Sequence, residues 1–164
     1  MKTLLIIMLA ILLISGGSYM YNDSREGSPP VDAPAIAPSS LTSLNRSNQG
    51  LTALPSGILS MTDLEQLDIS GNRLTGALPA EIRFMAKLQV LDMSDNQMTG
   101  LPAELGQLSQ LRVLDASNNN LTGIPHELGN LQNLEVLDLS DNNISMQDLE
   151  AIRAKLPKET EIIL

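Results

Sequence analysis

Cysteine is absent from the 164-residue chain, which excludes disulfides, thiolate metal sites and a cysteine nucleophile. Tryptophan is absent too, and one phenylalanine with two tyrosines brings the aromatic content to only 2%, beside 43% hydrophobic residues. The core must therefore be built from Leu, Ile, Val, Met and Ala, a composition that suits stacked aliphatic layers better than a large globule. A single histidine, His126, leaves little material for a zinc centre or a histidine general base. Basic residues are scarce: 10 Lys and Arg against 19 Asp and Glu give a formal charge of −9. Nucleic acid is thus not an expected partner, because phosphate binding needs a basic surface.

Long apolar runs occur once, at the start. MKTLLIIMLAILLISGGSYMY carries one early cation, Lys2, and then an unbroken apolar stretch from Leu4 to Ile14. As a helix that stretch spans roughly 16 Å, about half a bilayer core, which matches the apolar segment of a secretory signal. Ser15 and Gly17 would then serve as the −3 and −1 positions of a weak cleavage site. Extension through Ser18 to Tyr21 gives roughly 27 Å, enough for an uncleaved anchor with interfacial tyrosines. Residues 1–21 are therefore read as a signal peptide or a transmembrane anchor. Lys2 on the inside places the body outside the cytoplasm in both cases, membrane-anchored or secreted. A lipoprotein is excluded by the missing cysteine. Residues 22–40 hold four of the nine prolines, Pro29, Pro30, Pro34 and Pro38, among Ser, Ala and Gly. They read as a semi-extended linker.

From residue 41 the chain repeats itself. LEQLDISGNRL begins at Leu64, LQVLDMSDNQM at Leu88, LRVLDASNNNL at Leu111 and LEVLDLSDNNI at Leu134. A degenerate copy, LTSLNRSNQGL, begins at Leu41, with Gln49 at the amide position and Arg46 where an inward apolar residue belongs. Asn72, Asn96, Asn119 and Asn142 are separated by 24, 23 and 23 residues, and Ala77 is the inserted residue behind the longer step. The pattern L-x-x-L-x-L-x-x-N-x-L at this period resembles the leucine-rich repeat family, over residues 41–164. The resemblance implies an α/β solenoid: a right-handed coil of about five repeats with a parallel sheet on its concave face. Short helical or 3-10 turns would line the convex face, and residues 146–164 would form a C-terminal cap. The paired cysteines of many plant and animal extracellular members are missing here, which points toward a bacterial source.

The recurring asparagine has a structural explanation. Where each coil turns out of its strand, backbone groups face inward without a strand partner, and leaving one unpaired costs on the order of 1–3 kcal/mol. An amide carries donors and an acceptor, so Asn72, Asn96, Asn119 and Asn142 are expected to form a ladder that bonds their own coil and its neighbour. In the second half of each repeat a proline (Pro55, Pro79, Pro102 and Pro125) precedes a short helical turn, at a first position that needs no donor. Leu105 with Leu108, and Leu128 with Leu131, are expected to point inward. At the C-terminal end Leu149, Ile152 and Leu156 fall on one helical face, Pro157 follows, and TEIIL is a candidate last strand. The polar Arg46 and Gln49 make the first repeat a candidate lid, since terminal coils otherwise expose their cross-section.

The residues between the apolar positions should line the concave sheet. They comprise an acidic column, Asp68, Asp92, Asp115 and Asp138, headed by Asn45. Beside it runs a serine column, Ser70, Ser94, Ser117 and Ser140, headed by Ser47. A third row holds Asp95, Asn118 and Asp141, with Asn48 and Gly71. A fourth holds Gln66, Val90, Val113 and Val136, after Ser43. Like charges opposed across strands repel, so this face is a candidate site for a protein or peptide, a basic one in particular; a cation would also suit it. The expected function is a non-enzymatic interaction module displayed outside the cytoplasm. The alternatives are a structural or adhesive envelope component, or a receptor-like ectodomain. With no effector domain before Leu164, the latter would signal through another polypeptide. Asp92 and Asp115 could stand as paired carboxylates for catalysis, but an open sheet should neither bury them nor separate their pKa values. His126 is expected to be solvated. No cofactor or metal is implied, and the membrane enters only through the N-terminal segment. Four N-x-[ST] triplets, at Asn22, Asn45, Asn120 and Asn143, are potential glycosylation acceptors that an Asn-rich repeat also generates incidentally.

Overall fold

Each L-x-x-L-x-L segment places its second leucine at the centre of a three-residue strand. The computed structural model describes residues 41–164; the segments read as signal or anchor (1–21) and linker (22–40) lie outside the described residues. Strands are numbered in chain order. β1 (Ser43–Asn45), β2 (Gln66–Asp68), β4 (Val90–Asp92), β6 (Val113–Asp115), β7 (Val136–Asp138) and β8 (Glu161–Ile163) form one parallel sheet in that order. The register puts Leu44, Leu67, Leu91, Leu114, Leu137 and Ile162 in one file. Strands this short are held by stacking: neighbouring coils lie one strand spacing apart, about 4.8 Å.

The apolar positions all turn to one side of the sheet. Leu64, Leu67, Ile69 and Leu74 in one coil are buried, as are Leu88, Leu91, Met93 and Met98 in the next. Leu111, Leu114, Ala116 and Leu121 repeat the set, followed by Leu134, Leu137 and Leu139, with Ile144 half-buried. Each fully buried Leu contributes about 2 kcal/mol of hydrophobic stabilisation. In the first coil Leu44 is half-buried and Leu41 and Arg46 are exposed.

The opposite wall consists of 3-10 turns, Ile58–Ser60, Ala80–Phe84, Ala103–Gln107 and His126–Asn130. Pro79, Pro102 and Pro125 are not the first helical residues but the extended caps just before them, with ψ near +140°. Each cap carbonyl, and that of Pro55, accepts the first bond of its turn, to Ile82, Leu105, Leu128 and Ile58. Leu105, Leu108, Leu128 and Leu131 are buried as expected. Gly106 has no side chain because the carbonyl of Glu127, one coil on, occupies the place of a Cβ. At Gly129 it is the side chain of Lys155 that crowds the place of a Cβ.

A second, two-stranded parallel ladder, β3 (Thr75–Gly76) with β5 (Gln97–Met98), runs beside the inserted Ala77. It was not legible in the repeat pattern. After the last asparagine comes α1 (Met146–Arg153), which rests on the turn His126–Asn130 and buries Leu149 and Ile152. The helix stops at Arg153, so Leu156 is buried from the following turn rather than from the helix. Thr160 donates its hydroxyl to the carbonyl of Leu134 and launches β8. Among the described residues no helix is long and apolar enough to cross a membrane.

Candidate functional site

Two polar columns run across the sheet, and their chemistry follows from the turn that ends each strand. Asp68, Asp92, Asp115 and Asp138 are register partners from strand to strand. Their Oδ1 atoms accept two hydrogen bonds each, from the backbone N–H and the Oγ of the serine two residues on. For Asp92 and Ser94 the distances are 3.0 and 2.7 Å, and Asp68, Asp115 and Asp138 repeat them with Ser70, Ser117 and Ser140. This is the local Asx turn by which a short carboxylate takes the place of a backbone acceptor. Asn45 does the same for Ser47 and also donates to Asp68 at 2.8 Å.

The carboxylates are more enclosed than an open sheet suggests, contrary to the expectation from the sequence. Asp115 and Asp138 are buried, at 6% and 2% exposure, and Asp92 is half-buried. Burial pushes the Asp92 carboxyl up to about 6; the bonds from Ser94 oppose this, while the charges of Asp115 and Asp68 add to it. Burial likewise raises Asp115, opposed by Ser117 and reinforced by Asp138 and Asp95. Packed in a column, a carboxylate loses hydration on both sides and gains like-charged neighbours. The Oδ1 atoms are engaged in the turns, so their evident task is to shape the turn rather than to accept a substrate proton.

Val90, Val113 and Val136 are buried, in register with Gln66, and lie outside the aliphatic core cluster. Ser94 is buried, and Gln66, Asp68, Ser70, Ser117 and Ser140 are half-buried. Asp95, Asn118 and Asp141 are exposed, but backbone geometry explains their identity. Their φ values are +52°, +48° and +54°, Asn48 has +56°, and Gly71 stands at the same place with +63°. Asn, Asp and Gly are the residues that tolerate this left-handed conformation. The restriction of that row to these three types was a signal present in the sequence. Asn118 also donates to the Asp95 carboxylate across the coils.

The asparagines form a second layer behind the turn. Asn119 Nδ2 donates to the carbonyls of Ala116 and Ser117 in its own coil and of Met93 in the preceding one, while Oδ1 accepts from Met98 N–H. Asn96 bonds Met93, Ser94, Ile69 and Leu74 in the same pattern, and Asn142 bonds Leu139, Ser140, Ala116 and Leu121. Asn72 bonds Ile69, Ser70 and Arg46 and accepts from both Gln49 and Leu51. Every rung reaches backward, and among the described residues the first coil, with Gln49 at the amide position, has no preceding repeat to bond. His126 is exposed, its Nε2 3.8 Å from Asp148. Among the described residues no group of His, Asp or Glu could hold a metal ion.

Comparison with known proteins agrees with this geometry. A family model described as a leucine-rich repeat region matches residues 71–156, and a second leucine rich repeat model matches residues 39–98. The chain belongs to the leucine-rich repeat family. Among solved structures it is similar to a leucine-rich repeat protein of Leptospira interrogans, with 40% identity and a TM-score of 0.64 over 69% of this chain and 28% of that one. It is similar to the ectodomain of the receptor kinase SOBIR1 from Arabidopsis thaliana, with 36% identity and a TM-score of 0.56 over 62% of this chain and 56% of the other. The ectodomain of the Arabidopsis thaliana receptor kinase GASSHO1/SCHENGEN3, in complex with CASPARIAN STRIP INTEGRITY FACTOR 2, matches 75% of this chain and 15% of its own length, with 39% identity and a TM-score of 0.63. The chain thus spans 28%, 56% and 15% of the length of these three structures. No curated protein matches.

Proposed function

We propose that this chain is a non-enzymatic protein-binding module, displayed outside the cytoplasm, that receives a basic protein or peptide on the concave face of its sheet. The observation that carries the reading is the register of the rows: Asp68, Asp92, Asp115 and Asp138 lie strand beside strand, next to Gln66, Val90, Val113 and Val136. An extended partner crossing the sheet would meet repeated chemistry at about 4.8 Å intervals. A file of carboxylates gives a negative potential that favours cations and speeds their encounter. The ectodomain solved with CASPARIAN STRIP INTEGRITY FACTOR 2 supports the general role, as a related repeat that engages another molecule. The apolar segment at residues 4–14 supports extracytoplasmic display.

The test is a titration of the full chain with lysine-rich and glutamate-rich peptides, repeated with an Asp92→Asn, Asp115→Asn double variant. Asn45 already fills the same turn with an amide, so the variant removes charge while keeping the turn bonds. A tenfold or greater loss of affinity for the basic peptide is expected. Unchanged affinity would overturn the assignment of the face.

A further inference from the structure

A different surface, at the end of the sheet, concentrates the cations of this acidic chain. β8 is the last strand of the six-stranded sheet, and its outer edge has no strand partner among the described residues. Glu161 donates to the carbonyl of Glu135, and Ile163 accepts from Leu139, so both bond toward β7. Strand residues alternate sides, which leaves the N–H and C=O of Ile162 directed outward. Beside this edge lies an open depression of about 400 Å³ lined by Arg153, Leu156, Pro157, Lys158, Thr160 and Ile162.

Arg46 and Arg73, in the first two coils, are exposed and form no ion pair among the described residues, but the other described cations outside this end have local occupations. Lys87 pairs with Asp63 and Arg112 with Glu135, and Arg83 stacks over the Phe84 ring at 4.6 Å. Arg153, Lys155 and Lys158 are exposed, and none forms an ion pair among the described residues. Glu159 and Glu161 flank the edge but point their charge into no ion pair there either. The depression therefore combines an unpaired strand edge, an apolar floor of Leu156, Pro157 and Ile162, and two cations on its wall.

We propose that this end is a second docking surface, which takes an extended acidic–apolar peptide as an added parallel strand on β8. Backbone bonds to Ile162 supply the affinity common to strand addition, alternate apolar side chains enter the depression, and carboxylates on the peptide meet Arg153 and Lys158. The preference is opposite in charge to that of the concave face, so the two surfaces are separable.

The experiment titrates the full chain with a fluorescent peptide of alternating glutamate and valine, and with its lysine–valine counterpart. Saturable binding of the glutamate–valine peptide is expected, weakened at least tenfold by Arg153→Gln with Lys158→Gln, and weakened also by Ile162→Pro. The latter removes an outward N–H, which an edge strand tolerates. Thermal melts of both variants verify that the fold is retained, and the Asp92→Asn, Asp115→Asn variant should bind the acidic peptide as the parent does. Equal binding of both peptides, absence of saturable binding, or binding indifferent to Arg153 and Lys158 would overturn the proposal. Self-association abolished by Ile162→Pro, without peptide binding, would assign the edge to a second copy instead and equally overturn it.

Discussion

Asp92 and Asp115 face each other as register partners on adjacent parallel strands, and burial raises both carboxyls above the ordinary aspartate value of 3.8, Asp92 to about 6. The folded state therefore binds the Asp92 proton more tightly than the unfolded chain does. Its contribution to stability is fully present below 3.8 and is lost as the pH rises to about 6. A shift of that size corresponds to on the order of 3 kcal/mol. Asp92→Asn should accordingly raise the melting temperature near neutral pH and flatten the decline between 3.8 and about 6. Calorimetric melts across that range check it. A lower neutral melting temperature in the variant would show that the turn needs the charge.

The same titration reaches the proposed binding face. Protonation of Asp92 removes a negative charge from the column, so affinity for a basic peptide should fall as the pH drops through about 6. Fluorescence titrations above and below that pH would show it, and the Asp92→Asn variant should lose most of the dependence. Affinity that rises on acidification would contradict the charge argument.

Removing a rung of the amide ladder should be far more costly than altering a surface side chain. Asn119→Ala leaves the Met98 N–H without its partner and removes one donor each from the carbonyls of Met93, Ala116 and Ser117, which keep Asn96, Asn142 and the Asp95 N–H. At about 1–3 kcal/mol for the orphaned N–H and about 1 kcal/mol for each of the other bonds lost, with some relief from water, a loss of about 3–5 kcal/mol is expected. Gln49→Ala, whose side chain makes no hydrogen bond among the described residues, should lie within about 0.5 kcal/mol of the parent. Urea unfolding of both variants compares them directly; similar losses would undo the idea that position in the stack decides.

The contrast between these residues shows what was legible in the sequence. Period and apolar spacing were enough to place Leu67, Leu91, Leu114 and Leu137 in one buried file, because a solenoid repeats its burial with its sequence. The amide at Asn96 was equally legible, since a carboxamide side chain satisfies carbonyls and an N–H together. The direction of its bonds was not, because spacing is symmetric between neighbouring coils. The engagement of the aspartates is less visible in the sequence, because their turn partners, such as Ser94, fall in what looks like a separate column. Pairing i with i+2 was local information and could have been used. The β3–β5 ladder lies where Ala77 interrupts the period, and no periodic pattern encodes it.

Asp95 provides a test of the backbone explanation for the third row. Its φ of +52° is a left-handed conformation, which costs a residue with a branched Cβ about 1–2 kcal/mol or more. Asp95→Gly should be neutral or mildly stabilising, as Gly71 at the equivalent place suggests, whereas Asp95→Val should be destabilising by at least that amount. If binding through the concave face needs the Asp95 carboxylate, both variants should lose affinity equally, so stability and binding measurements separate the two roles.

Gly106 tests the packing of the convex wall. A methyl group there would run into the backbone carbonyl of Glu127, which is held by the stack and has no side-chain freedom to yield. Gly100, by contrast, has open space where a Cβ would go. Gly106→Ala should cost about 1–3 kcal/mol through displacement of one coil against the next, while Gly100→Ala should be close to neutral. The loss should be specific to the turns Ala103–Gln107 and His126–Asn130, so hydrogen exchange in Gly106→Ala should quicken first at Leu105, Leu108 and Leu128. Uniform quickening over the whole sheet would mean that the glycine serves the chain's overall stability rather than this one close approach.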